Sequence, residues 1–238
     1  MFNWLRRRRT PRRVLTLRSR GESSGATRVD FSELAPDVQT FLGQAAYLQL
    51  GYFETLTQLI TSTPELAQKE ALSRAAGAAL TKHQAIVSLI RDRNEDPTTV
   101  MLPFREQLDA FRRVTSGERP METLLSVHLT AGLLDDFYHA LASTYGDTGR
   151  RVSVILEADD DRGAIVEIIG ATIASDEEWR SLLSMWGRRL VGDTLLVARA
   201  ALTTSVGLDR AAEEKVEPVF TELMAAHSRR MDAVGLNA

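Results

Sequence analysis

Five residues able to do chemistry fall where an apolar helix face is expected. Gln49 belongs to the series Leu42, Ala46, Gln49, Phe53, Leu56 and Ile60, spaced alternately by four and three. That spacing is the seam of an antiparallel helix bundle, so the Gln49 amide should point at the core. His83 interrupts a second series of Leu72, Ala76, Ala79, Ile86 or Val87, and Ile90. His128 and Asp135 share a third stripe with Leu124, Ala131, Tyr138 and Ala142. Asp161 falls in a fourth, with Val154, Ala158, Ile165 and Ile168. Polar groups from several helices turned toward one axis are what a buried site, or the remnant of one, would leave.

The chemistry that such a geometry serves best is a pair of metal ions held between four helices. Two helices each give a carboxylate, and the other two each give a carboxylate-x-x-His pair. Residues three apart on a helix face the same way, so one turn offers an oxygen and a nitrogen to one metal. No seam here offers such a pair; three residues before His83 stands Leu80, which cannot bind a metal. One imidazole and one carboxylate do not balance the charge of two iron ions. They can bond to each other, each offsetting the desolvation of its partner. A histidine and an aspartate turned inward here would make such a pair.

Other readings stay open. A lone core histidine is commonly just packed and hydrogen-bonded. A single metal could sit between His83, His128 and Asp135. A slip of one residue in the fourth stripe would turn Glu157 and Asp160 inward. Glu54, one residue off its seam, reads as solvated. Should a metal bind, the ligands to fall back on are Glu54, His83, His128, Asp135, Glu157 and Asp160.

The elements that must position these residues follow from caps and breakers. The first helix begins with Pro36 in its first turn and ends near Ser62. The second opens at Thr63-Pro64-Glu65 and stops before Asp96-Pro97. A connection of some 25 residues carries a short helix from Pro103, with Phe104, Leu108 and Phe111 on one side. The third long helix spans about Met121–Tyr145 and the fourth about Gly149–Thr172. A capping box at Ser175-Asp176-Glu177-Glu178 opens a fifth that extends to Gly207. A sixth, interrupted by Pro218, ends near Gly235. Short loop, long crossover, short loop is the connectivity of a ferritin-like four-helix bundle, here with two additional C-terminal helices. The fold class is all-α, with residues 29–236 as the helical domain.

Composition narrows the function. The 238 residues are 44% hydrophobic and contain no cysteine, which excludes disulfides, zinc-thiolate sites and cysteine nucleophiles. No apolar run is long enough to span a bilayer, and a cytoplasmic location is expected. The net charge of −3 hides eight arginines within residues 1–20, so the rest of the chain carries about −11. Only three lysines occur, at 69, 82 and 215. Residues 1–28 read as a disordered arginine-rich extension that could meet RNA through Arg6, Arg7, Arg8, Arg9, Arg12 and Arg13. The Arg188-Arg189 and Arg229-Arg230 pairs mark either polar contacts between helices or a phosphate-binding patch.

Short motifs then bear on the family. They are Pro103-Phe104 with Leu108-Asp109-Ala110-Phe111, Asp135-Asp136-Phe137-Tyr138, Arg188-Arg189-Leu190-Val191-Gly192, and Ala226-His227-Ser228-Arg229-Arg230-Met231 with Gly235-Leu236. In order and spacing they resemble actinobacterial ferritin-like proteins similar to tRNA hydroxylases acting on 2-methylthio-isopentenyladenosine. The resemblance covers about residues 40–236. It implies a di-iron site whose ligand positions fall on Gln49, Leu80, His83, Ala131, Ala158 and Asp161. Only His83 and Asp161 could still bind a metal there, so what the resemblance implies is a metal-free polar cluster of His83, Asp161 and Gln49 where the metal site would be. The expected function is therefore a non-catalytic binding or interaction scaffold with no cofactor and an unknown protein partner; a homodimer is compatible. The alternatives are a di-iron tRNA-modifying monooxygenase and RNA binding through the arginine tail.

Overall fold

The computed structural model describes residues 34–202 and 210–238. The arginine-rich extension, and with it the RNA contact expected of Arg6 to Arg13, lies outside the described residues. Helix α1 (Val38–Ser62) starts at Asp37, whose carboxylate accepts the Thr40 backbone N–H at 2.9 Å. Pro36 stands one residue ahead of this cap, not inside the first turn. After the short link at Thr63–Glu65, α2 (Leu66–Arg91) packs back along α1, the most extensive helix pairing in the fold.

The crossover holds α3 (Pro97–Met101), a 3-10 turn at Leu102–Phe104, and α4 (Arg105–Thr115). On α4, Leu108 and Phe111 are buried while Arg105 and Glu106 face water, the amphipathic division that pins it to the bundle. Helix α5 (Pro120–Ala142) follows. Then come a 3-10 turn, α6 (Gly146–Glu157), α7 (Arg162–Ser175), α8 (Glu177–Ala200) and α9 (Arg210–Ala233). No strand occurs among the described residues, and the architecture is all-α and ferritin-like. None of the described helices is long and apolar enough to cross a membrane.

Helix α5 is the pivot. It packs on α1, α6, α7, α8 and α9, and its residues are buried on nearly every side. A helix apolar all round is stable only inside such a jacket.

Three expectations need correction. The fourth bundle helix is not continuous but broken at Ala158–Asp161 into α6 and α7. Aspartates favour local side-chain bonds over helix interiors. Here Asp159 accepts the Asp161 backbone N–H and Asp160 accepts that of Arg162, each at 3.2 Å. The fifth helix, α8, ends at Ala200, short of Gly207. Its cap is Asp176, accepting from the Glu178 N–H at 2.8 Å, while Ser175 closes α7 by donating to the Thr172 carbonyl.

The C-terminal helices close tightly on α5. At Gly187 of α8 an added Cβ would stand 2.8 Å from the end of Met231, so only glycine fits without movement. The His227 ring nitrogen Nε2 lies 3.1 Å from the Gly187 carbonyl, and the Trp186 indole N–H donates to Ser126 Oγ at 2.8 Å. Arg230 donates to Asp136 at 2.6 Å, Arg229 pairs with Glu222 at 2.7 Å, and Arg188 donates to the Asn237 carbonyl at 2.9 Å. All four arginines of the two pairs thus sit in polar contacts: Arg189 lies 3.8 Å from Asp193 and also stacks over the Trp186 ring at 5.0 Å.

Candidate functional site

Between the bundle helices lies a small cavity, partly open to solvent, bordered by Gln49, Lys82, Asp135, Asp160 and Arg162. Asp135, carried by the buried α5, is its hub. Gln49 of α1 donates its amide N–H to Asp135 Oδ1 at 2.7 Å. Arg162, in the first turn of α7, donates to Asp135 Oδ2 at 3.1 Å. The Lys82 ammonium, from α2, stands 3.6 Å from that same oxygen.

The helix break completes the cluster. Where α6 ends, its last carbonyls have no partner within the helix. Lys82 donates to one of them, Leu156, at 2.8 Å, and to Asp160 at 3.1 Å. A cation at a helix C-terminus also sits at the negative end of its dipole. The Arg162 guanidinium reaches Asp160 at 2.5 Å. Two carboxylates thus face two cations, with no net charge left over. Lysine is almost never fully buried unless paired, and Lys82 is only 3% exposed.

The electrostatics differ across the cluster. Burial pushes the Asp135 carboxyl above the usual range, outweighing Arg162, Lys82 and the Gln49 amide. For Asp160 burial also acts upward, but Arg162 and Lys82 outweigh it and hold the carboxyl below its ordinary value. Burial, and then the positive fields of Arg162 and Arg230, push His128 down to about 4, so its ring is neutral at ordinary pH. Neither His128 ring nitrogen has a hydrogen-bond partner. Burial and the nearby Asp135 raise the Tyr52 hydroxyl well above its ordinary value, which keeps its proton in place.

The model of the ferritin-like domain of actinomycetes matches residues 33–212. The chain belongs to that family. A comparison with curated proteins gave no match. The matched stretch of this ferritin-like domain takes in the whole cluster, from Gln49 to Arg162.

Against the positions expected for its ligands, the domain agrees in part. Gln49 is in the cluster, and Ala131 lines the cavity beside it. His83 is not in the cluster: its Nδ1 faces the Ala46 carbonyl at 2.9 Å at the edge of the α1–α2 contact. Asp161 is not either. It takes a left-handed backbone with φ +54° and leans outward, 3.6 Å from Arg74. Leu80 is half-buried and Ala158 exposed within the break. The expected His83–Asp161 pairing therefore does not form.

Both misses are slips of one residue. The inward seam of α2 runs Leu72, Ala75, Ala79, Lys82 and Ile86, all buried. The break in the fourth helix puts Asp160 inward where a continuous helix would have put Asp161. Of the fallback positions, Asp135 and Asp160 join the cluster. Glu54 pairs with Arg112 of α4, and Glu157 lies exposed, 3.4 Å from His139. The Asp136-x-x-His139 pair on α5 has the spacing of a ligand pair but flanks the seam; Asp136 engages Arg230 and His139 is exposed.

Lys82 and Arg162 are the residues that periodicity passed over. The signal for Lys82 was its rarity: in a chain that otherwise uses arginine, one of three lysines lies at a seam spacing. Among the described residues, no three His, Asp or Glu side chains gather so as to hold a metal ion. The donor set at the cavity does not fit the di-iron centre that the resemblance implies. Its two acids are already engaged by cations of the chain itself, and its one amide brings no charge.

Proposed function

We propose that this ferritin-like protein is a non-catalytic binding or interaction scaffold of the cytoplasm, one whose core is held by its own cations in place of metal ions. The observation that carries the reading is Lys82, whose ammonium lies within 3.6 Å of both Asp135 and Asp160. A metal entering there would have to displace a buried ammonium and the Arg162 guanidinium, and would then meet their positive charge. Removing either cation from its carboxylates is costly in a dry interior.

The competing reading, a di-iron monooxygenase acting on an isopentenylated tRNA base, needs several anionic oxygens around two open metal positions. Glu54, Glu157 and His128 would have to supply them, and each is engaged or buried elsewhere. The deciding measurement is the metal content of protein purified without chelators, read with its absorption spectrum under oxygen. The expected result is no stoichiometric iron or manganese and no oxygen-dependent band; a full complement of iron would overturn the proposal.

A further inference from the structure

On the far side of Tyr52 from the ion cluster lies a second cavity, a cleft of about 440 Å³ between α1, α4 and α5 and partly open to solvent. Its walls are apolar: Leu48, Leu108, Phe111 and Val127. Hydroxyl groups line it too, and several spend their protons on their own helices. Thr55 donates to the Gly51 carbonyl at 2.9 Å, Thr115 to Phe111 at 2.8 Å and Ser126 to Glu122 at 2.9 Å.

The Tyr52 hydroxyl does not. Tyr52 is 8% exposed, and its buried oxygen makes no hydrogen bond of good geometry; the Thr130 hydroxyl, also of the cleft, stands near enough to act on it weakly. A buried donor left unmade costs free energy that a bound acceptor would recover. Such groups in a native fold commonly mark a site whose partner is missing.

The mouth has its own chemistry. Arg112 is clasped between Glu54 and Asp109, and the Tyr47 hydroxyl donates to Asp109 at 3.0 Å. Arg105 also acts on Tyr47 here, so two carboxylates face two guanidinium groups and the rim carries little net charge. Gly51, in the middle of α1, also borders the cleft. Neither packing nor backbone requires glycine there: an added Cβ would meet only the Arg112 side chain, at an ordinary 4.0 Å. Glycine is a poor helix former, and what it leaves at this position is open space.

We propose that the cleft binds a small, uncharged, mainly apolar molecule that presents a carbonyl or similar acceptor to the Tyr52 hydroxyl. Its body lies between Leu108, Phe111 and Val127, and its outer end is neutral beside the paired charges of Glu54, Asp109 and Arg112. The lining, apolar with a few placed polar groups, is that of the usual ligand pocket. The proposal rests on the reading of the chain as a binding protein but not on how the ion cluster is charged.

The test compares acetophenone with isopropylbenzene, two probes of one shape that differ in the acceptor. Binding is followed by backbone-amide NMR shifts in the full chain. Acetophenone is expected to bind about five- to tenfold more tightly, one hydrogen bond's worth, with shifts at Leu108, Phe111 and Val127. Tyr52→Phe keeps the shape and should erase that preference while leaving isopropylbenzene unchanged. Gly51→Leu should fill the cleft and abolish binding of both, with a thermal midpoint at or above that of the parent. No binding of either probe up to saturation overturns the proposal, as does an acetophenone affinity that survives Tyr52→Phe or Gly51→Leu. Those failures would leave a metal-free core standing, whereas stoichiometric iron would sink the scaffold reading with the cleft untouched.

Discussion

The two sides of α5 are built on opposite principles. Toward α8 and α9 the helices meet through close contact. Gly187 lets Met231 and Leu129 in, the buried His227 ring finds a backbone carbonyl, and the Trp186 N–H finds Ser126. Toward α2 and α7 the same helix meets charges and a cavity, with Asp135 bound by Gln49, Lys82 and Arg162. One side is ordered mainly by shape, with the Arg230–Asp136 pair at its edge, and the other by charge balance. A site of present or former chemistry is expected on the second, because polar groups are costly to bury and are not kept there for packing alone.

Breaking the charge balance should have the largest effect. Lys82→Met leaves Asp135 and Asp160 sharing Arg162, and a destabilisation of about 3–5 kcal/mol is expected in urea unfolding. Combining Lys82→Met with Asp135→Leu should cost clearly less than the sum of the two single changes. Additivity would show that the cluster is not one unit.

A pH titration comes next. His128 is neutral in the folded chain and held down to about 4, while the unfolded side chain takes a proton near its ordinary 6.5. Acidification through that window therefore favours unfolding, by at most about 3 kcal/mol. Asp135 acts oppositely: its raised carboxyl takes up its proton earlier in the folded chain, so acid relieves part of its burial cost. His128→Leu should flatten or reverse the loss of stability between pH 6.5 and 4, read from denaturation midpoints across the range. An unchanged slope would mean that the acid sensitivity lies elsewhere.

On the tightly packed side, Gly187→Ala forces a methyl against Met231 and Leu129 and should cost about 1–3 kcal/mol in thermal unfolding. A neutral result would show that the α8–α9 contact is looser than its geometry. The smallest effect should be at the break. Asp161 holds a left-handed backbone, and its contact with Arg74 is exposed. Asp161→Gly is expected to change stability by no more than about 1 kcal/mol, toward greater stability, since glycine accepts that backbone without strain. A large loss would return Asp161 to the core chemistry.

Much of this architecture was legible in the sequence, for a plain reason. The seams on α1 and α5 are long, regular and apolar, so Gln49 and Asp135 could be placed inward from spacing alone. The cluster was only half legible. On α2 two seams of equal regularity compete, one through His83 and one through Lys82, and hydrophobicity favours the histidine. What decides for the lysine is tertiary: a free carbonyl at Leu156 and a carboxylate at Asp160, both created by the break between α6 and α7. Three consecutive aspartates signalled that break, but only the folded neighbours show that it turns Asp160 and Arg162 inward. The cleft beside Tyr52 had no linear signature, because it forms where α4, far along the chain from α1, lies across it.

The encircled position of α5 carries a consequence for the order in which the chain matures. As a nascent chain leaves the ribosome, α1 to α4 can associate early, but one flank of α5 stays uncovered until α8 and α9 have emerged. Throughout that interval Leu125, Leu129 and Leu133 are open to the wrong partners. Chaperone demand, and losses to aggregation, should therefore concentrate in the last part of synthesis.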